Sequence, residues 1–130
     1  MTLDLVLWDE TRQRSVYKGG NISPGVQMRL KAMHQFTARL PMVSVQADWQ
    51  GWIGQSTQTA LQNGGVLGAA LEVEALTQRL ENQWPDLHLI LTGGDAALLA
   101  GHVMVKSSMF VNQNLVLIGL QQILAYNVKK

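Results

Sequence analysis

A chain of 130 residues that is 47% hydrophobic has the size of one modest domain and enough apolar surface to bury a core. Its formal net charge is +1 and its ten basic residues are scattered, a distribution that argues against capture of nucleic acid. Cysteine is absent, which excludes disulfides and thiolate chemistry. The opening Met1-Thr2-Leu3-Asp4-Leu5-Val6 has no basic region before an apolar run, and no stretch reaches the ~18 apolar residues of a membrane span, so one untargeted cytoplasmic domain over 1–130 is expected.

The chain opens with two strands, at 3–8 and 15–17, joined by the polar turn 9–14 into a hairpin. Tyr17-Lys18-Gly19-Gly20-Asn21-Ile22-Ser23-Pro24-Gly25 then reads as a strand passing through paired glycines into a helix start. Glycine permits close backbone approach, Ser23 suits a cap, and Pro24 suits a first turn. From Gly25 onward, Val26, Leu30, Met33, Phe36 and Leu40 recur at steps of three and four, predicting a helix with one buried face that Pro41 stops. Residues 42–54, with Trp49 and Trp52, read as a loop lying against the body with its aromatics as cover.

Ser56 or Thr57 is placed to cap a second, longer helix that carries Leu61, Leu67, Leu71, Leu76 and Leu80 and ends before Pro85. Inside it Gly64, Gly65 and Gly68 each cost ~1 kcal/mol relative to alanine. Close approach of another backbone offsets such a cost. Gly64 and Gly68 share a face at a spacing of four, and a dimer surface is expected there. A strand at 88–91 follows, then a second glycine corner, Thr92-Gly93-Gly94-Asp95, a helix over 95–101, an irregular or extended stretch over 103–110, and a last helix over 114–126. Strand and helix alternate, so an α/β fold is expected, and two glycine corners after strands point to a ligand cleft.

Several residues have chemistry beyond packing. Without a Cβ, Gly93 and Gly94 let a ring or ribose lie on the backbone; the plainer alternative is a turn with Asp95 as helix cap. Thr57, by its residues alone, reads as a helix cap. His34 and Thr37, three apart on the first helix, share a face from which both reach one polar ligand, although a lone histidine beside an apolar stripe usually packs or faces water. Arg39 reads as a solvated helical arginine. Gly19 and Gly20 serve backbone shape first and ligand contact second. The carboxylates Asp4, Asp9, Glu10, Asp48, Glu72, Glu74, Glu81, Asp86 and Asp95 form no metal pair in a motif context, so no catalytic or metal-binding residue is assigned.

The two corners, together with Thr37-Ala38-Arg39-Leu40-Pro41, Gly54-Gln55-Ser56-Thr57 before Ala60-Leu61 and Gly64, Leu91-Thr92-Gly93-Gly94-Asp95-Ala96, and Leu115-Val116-Leu117 with Gly119-Leu120 and Asn127, resemble the carboxy-terminal half of a type III pantothenate kinase. The likeness covers nearly the whole chain. It implies half of a ribonuclease-H-like, actin-like ATPase superfold: a mixed sheet flanked by helices, its first strand missing. It also implies transfer of the ATP γ-phosphate to pantothenate, the first step of coenzyme A synthesis, with Mg2+ and a monovalent cation, K+ or NH4+. By resemblance Thr92, Gly93, Gly94 and Asp95 meet the adenosine end of the nucleotide and Thr57 meets pantothenate. His34 and Thr37 reach a neighbouring subunit's pantothenate site in a homodimer, and Gly19 and Gly20 lie near substrate.

The family's phosphate motif and general base precede the part this chain resembles. A complementary amino-terminal half is therefore expected as a partner, beside ATP and pantothenate. Loss of the central strand is expected to leave inward-facing edges that invite pairing with another chain. The alternative is a non-catalytic interaction or transcription-accessory module of the same fold.

Overall fold

The computed structural model describes residues 1–46 and 50–128; Asp48 and Trp49 lie outside the described residues. Strands β1 (Thr2–Asp9) and β2 (Arg14–Ile22) form an antiparallel hairpin. Period-two alternation makes β1 a strand: Leu3, Leu5 and Leu7 are half-buried while Asp4, Val6 and Trp8 are exposed. Opposite Leu5 and Val6 the register slips by one residue, and Gly19 takes up the distortion at φ +116°. Here expectation and structure part. The first glycine pair does not end the strand but sits inside β2 as a bulge, and β2 runs on to Ile22.

The true corner is Ser23-Pro24-Gly25. Ser23 does not cap the helix; its N–H donates to the Met1 carbonyl (3.0 Å), and the Met1 amino group donates to the Ser23 carbonyl (2.9 Å). Gly25 is the cap residue of α1 (Val26–Gln35), whose Val26 and Leu30 are buried. The helix stops five residues before Leu40 because side chains close its last turn: the Thr37 hydroxyl donates to the Met33 carbonyl (2.6 Å), and His34 Nδ1–H donates to the Leu40 carbonyl (2.7 Å). Pro41 is therefore not what ends α1, and Thr37 and Arg39 lie beyond the helix.

Helix α2 (Thr57–Glu81) starts as its sequence indicates. Ser56 is the cap, with the Thr59 N–H donating to Ser56 Oγ (3.2 Å) and the Ser56 N–H donating to Thr59 Oγ1 (3.0 Å). Its glycines admit α1 of the same chain. A Cβ at Gly65 would stand 2.9 Å from Leu30 Cδ2; at Gly64 and Gly68 the nearest groups are Met33 (3.7 Å) and Arg29 (3.6 Å). The face expected to pair subunits is thus occupied by α1, and the order of contacts makes the two helices antiparallel. Around this crossing gather Val66, Ala69, Ala70 and Val73 with Val26, Leu61, Leu91, Ala96, Leu99 and Val103. Full burial of one valine of this core, Val66 for example, contributes about 2 kcal/mol.

The loop at 42–46 is held to α2 by buried Val43 and by Gln62 Nε2, which donates to the Ser44 carbonyl (3.0 Å). Trp52 is a partial cover only: it is 66% exposed, with part of the ring lining a shallow pocket beside Leu67, His102 and Met104. Beyond α2 lie β3 (His88–Leu91), α3 (Ala96–Ala100), β4 (Ser108–Val111) and α4 (Leu115–Val128). Strand β4 is parallel to β3, and the Phe110 ring meets His88 edge-on at 6.0 Å. The protein is therefore a mixed α/β molecule with helices against small sheets. Among the described residues the strands form two separate two-stranded sheets, β1–β2 and β3–β4.

Two carboxylates of α2 hold the segment leading into β4. Glu74 Oε2 accepts from the Met104 N–H (3.0 Å), and Glu81 Oε1 accepts from the Ser107 hydroxyl (2.6 Å) and N–H (2.8 Å). The Ser107 donors hold the Glu81 carboxyl below its ordinary 4.5. A carboxyl depressed on folding adds stability that is complete above its unfolded value and fades as pH falls through its folded one. Glu81→Gln is therefore expected to lower the urea midpoint more at about pH 7 than at about pH 3. An equal deficit at both values would exclude the ionised contact as the cause.

Candidate ligand cleft

Between β1 and β3 the molecule opens into a cavity of about 680 Å³. Residues 1–6 form one wall and 87–91 the other, while Val73, Thr77 and Leu80 of α2 and Leu99 of α3 form the floor. The walls are strand edges. β1 pairs only with β2 and β3 only with β4 among the described residues, so the edges facing the cavity have unsatisfied N–H and C=O groups, as the missing-strand argument anticipates. A Cβ built on Gly25 would lie 3.6 Å from the Met1 nitrogen and 3.7 Å from Asp95 Oδ2. The start of β1 thus stands beside the end of β3, and the two walls run in opposite directions.

The second glycine corner closes one end of this cavity. Thr92, Gly93, Gly94 and Asp95 all line it, and Gly93 turns the chain at φ +89°, with the Ala96 N–H donating to its carbonyl (3.2 Å). Nothing lies within 4 Å of where a Cβ would stand on Gly93 or Gly94, so their exposed backbone presents a bare surface. Asp95 occupies the cap position but makes no side-chain cap hydrogen bond. The plainer reading of the corner, a turn with a capping aspartate, therefore loses its cap. The five residues of α3 are shorter than the helix expected after it.

Charge near this end is already balanced. Arg29 pairs with Glu72, and its Nε–H donates to the Pro24 carbonyl (2.9 Å). Hydrogen bonding from Ser23 first, and then Arg29, holds the Glu72 carboxyl below the carboxylate range. Among the described residues lining the cavity there is no lysine or arginine.

The remaining expected site residues lie elsewhere. Gly19 and Gly20 are in β2, on the far side of β1, and line no part of the cavity. His34 and Thr37 lie at the carboxy-terminal end of α1, opposite Gly25, and that helix of 10 residues is ~15 Å long. Because α1 and α2 are antiparallel, Thr57 at the start of α2 belongs to this distant end as well. Thr57 is not the cap; its exposed hydroxyl makes no hydrogen bond among the described residues. The structure thus forms two groups, Gly25 with 92–95 and His34 with Thr37 and Thr57. Sequence reading missed Gly25 as a cleft residue and Thr77 as part of the floor. Thr77 is one of three buried polar residues of α2, with Gln62 and Asn63, and its own sequence neighbourhood does not single it out.

Two small sheets on a helical floor, with a glycine corner closing the cleft between them, define a mixed α/β protein with a cleft at strand ends. A family model described as type III pantothenate kinase matches residues 2–79. The chain belongs to the type III pantothenate kinase family. It is 37% identical over 122 residues to the type III pantothenate kinase of Christiangramia forsetii, covering 94% of this chain and 49% of that protein. Against the Phocaeicola vulgatus relative it is 40% identical over 124 residues, covering 95% and 50%. Against that of Bacteroides fragilis the values are 42% over 111 residues, 85% and 44%. The chain spans about half the length of the curated relatives it matches.

Proposed function

We propose that this chain is the carboxy-terminal half of an ATP:pantothenate phosphotransferase of the actin-like superfold, working with a complementary amino-terminal half in the first step of coenzyme A synthesis. The observation that carries the reading is the bare backbone of Gly93 and Gly94 at the end of an open cavity, where an adenosine ring and ribose lie without meeting a side chain. Thr92 and Asp95 flank that surface with a hydroxyl and an uncapped carboxylate for ribose oxygens. At the other end Thr57 offers a hydroxyl to pantothenate.

His34 and Thr37 are turned away from the glycine corner, which suits service to the pantothenate site of a second subunit in a homodimer. Gly19 and Gly20 act through the shape of β2 rather than by touching substrate.

Phosphoryl transfer asks for in-line positioning and for neutralisation of charge on the phosphates. The cavity lining supplies the first for the nucleoside but has no lysine or arginine for the second. Among the described residues no three His, Asp or Glu come together. Charge neutralisation and the general base fall to the complementary half.

The test is reconstitution. The chain is mixed with the part of the Phocaeicola vulgatus relative that lies outside the match, and ADP release is followed with ATP, Mg2+ and pantothenate. No transfer above background is expected from either polypeptide alone, and at least ~100-fold more from the mixture, in keeping with what positioned charge supplies to such steps. A stable mixed complex that stays inert would overturn the kinase reading in favour of an interaction module.

A further inference from the structure

We infer that Thr59 is a positioning residue for the acceptor: its hydroxyl, with the close backbone approach at Gly54, fixes the first turn of α2 so that Thr57 holds its own hydroxyl ready for substrate. The inference rests on the reading above that Thr57 meets pantothenate, and it concerns a residue that touches no substrate. A hydroxyl has one hydrogen to give and two lone pairs with which to accept. Thr59 spends all three within its own turn. Its Oγ1 accepts from the Gln55 N–H (3.0 Å) and the Ser56 N–H (3.0 Å), and its hydrogen reaches the Ser56 carbonyl (3.1 Å). In return the Thr59 N–H donates to Ser56 Oγ (3.2 Å), and the two hydroxyl oxygens stand 3.0 Å apart. Thr57 is the opposite case, since its exposed hydroxyl makes no hydrogen bond among the described residues.

Helix geometry keeps the two roles apart. Thr57 and Thr59 are two steps along α2, about 200° around its axis, so their side chains leave the turn on nearly opposite sides and Thr59 does not reach what Thr57 faces. Gly54 fastens the same turn from outside. A Cβ built on it would lie 2.2 Å from the Ala60 nitrogen and 2.3 Å from Ala60 Cα. The obstacle is backbone, so the segment 54–56 folds across residues 59–60 only because position 54 has no side chain. Threonine is β-branched and stiff at χ1, so a held backbone at Thr57 leaves its hydroxyl few directions. A receiving group held in place before the substrate arrives spares binding the cost of ordering it.

The experiment has two arms. In the chain alone, Thr59→Val keeps the shape and removes the oxygen, and the Gln55 and Ser56 amides are expected to exchange hydrogen at least fivefold faster while those of α1 and β3 do not change. In the complex with the non-matching part of the Phocaeicola vulgatus relative, the same variant is expected to raise KM for pantothenate at least tenfold and to leave KM for ATP within twofold. Thr59→Ser keeps the oxygen and is expected to stay within about twofold of the wild type in both arms. Gly54→Ala disturbs the turn by a separate route and is expected to raise KM for pantothenate likewise. Sedimentation shows whether each variant still assembles; if Thr59→Val does not, Thr59→Ala and Gly54→Ala carry the same comparison.

An unchanged KM for pantothenate in Thr59→Val would overturn the inference, as would both KM values rising together or Thr59→Ser proving as impaired as Thr59→Val. Unaltered exchange at Gln55 and Ser56 would overturn it too. An active wild-type complex in which Thr59→Val behaves normally would remove the role of Thr59 and leave the kinase reading standing. A stable wild-type complex that stays inert would remove both.

Discussion

Gly20→Ala is expected to destabilise the chain by about 3 kcal/mol, the upper range for forcing a group into occupied space. A Cβ on Gly20 would lie 2.0 Å from the Leu3 carbonyl oxygen and 3.0 Å from Asp4 Oδ1. The nearer obstacle is backbone, and that backbone is a rung of the hairpin: Asp4 faces Gly20 and Leu3 faces Asn21. Relief therefore requires the β1–β2 ladder to part where β1 forms the cleft wall. Urea unfolding measures the loss. Because β1 lines the cavity and β2 does not, binding of the complementary half is expected to weaken in parallel. A midpoint within ~0.5 kcal/mol of wild type, the range of a neutral surface change, would show that the strands separate more easily than the pairing implies.

Gly94→Val is expected to do the opposite: to leave folding within ~0.5 kcal/mol and to reduce phosphoryl transfer by the reconstituted protein about a hundredfold or more. No protein atom lies within 4 Å of a Cβ at Gly94, and its φ is not in the left-handed region, so the chain itself accommodates the side chain. Any loss then comes from what the valine displaces. KM for ATP is expected to carry most of the effect and KM for pantothenate little, since Thr57 lies at the other end of the α1–α2 pair. Gly93→Ala is the poorer probe, because φ +89° adds a backbone cost of ~1 kcal/mol to any ligand effect. Unchanged kcat/KM for ATP in Gly94→Val would place the nucleotide elsewhere.

Legibility followed the range of the interactions. Strand β3 and the start of α2 at Ser56 or Thr57 are readable because each is decided within a few residues; the choice of Ser56 rests on its exchange with Thr59, which the spacing alone does not single out. The first glycine pair misled because two structures use it alike: a corner and a bulge both need Gly19's positive φ, and only the partner strand distinguishes them. The end of α1 misled for a similar reason. Pro41 is a visible stop, but Thr37 and His34 capture carbonyls earlier, which spacing does not announce. Arrangement of the strands into two sheets is a long-range fact that no local signal announces; only the missing-strand argument, drawn from the resemblance, bears on it.

Within the site, the 92–95 corner was legible because it is contiguous. Its distance from His34, Thr37 and Thr57 was not, since separation along the chain says nothing of which end of a helix pair each residue occupies. The glycines of α2 do mark a close approach, but what approaches is Leu30 of α1 in the same chain.

The opposed directions of β1 and β3 bear on fidelity of assembly. A segment lodged between them would form an antiparallel ladder on one side and a parallel ladder on the other, with differently spaced bonds. Sliding by one residue would turn every side chain over against both neighbours and against Val73 and Leu80 beneath. A segment of wrong sequence or alignment would therefore be disfavoured on both sides of such a slot.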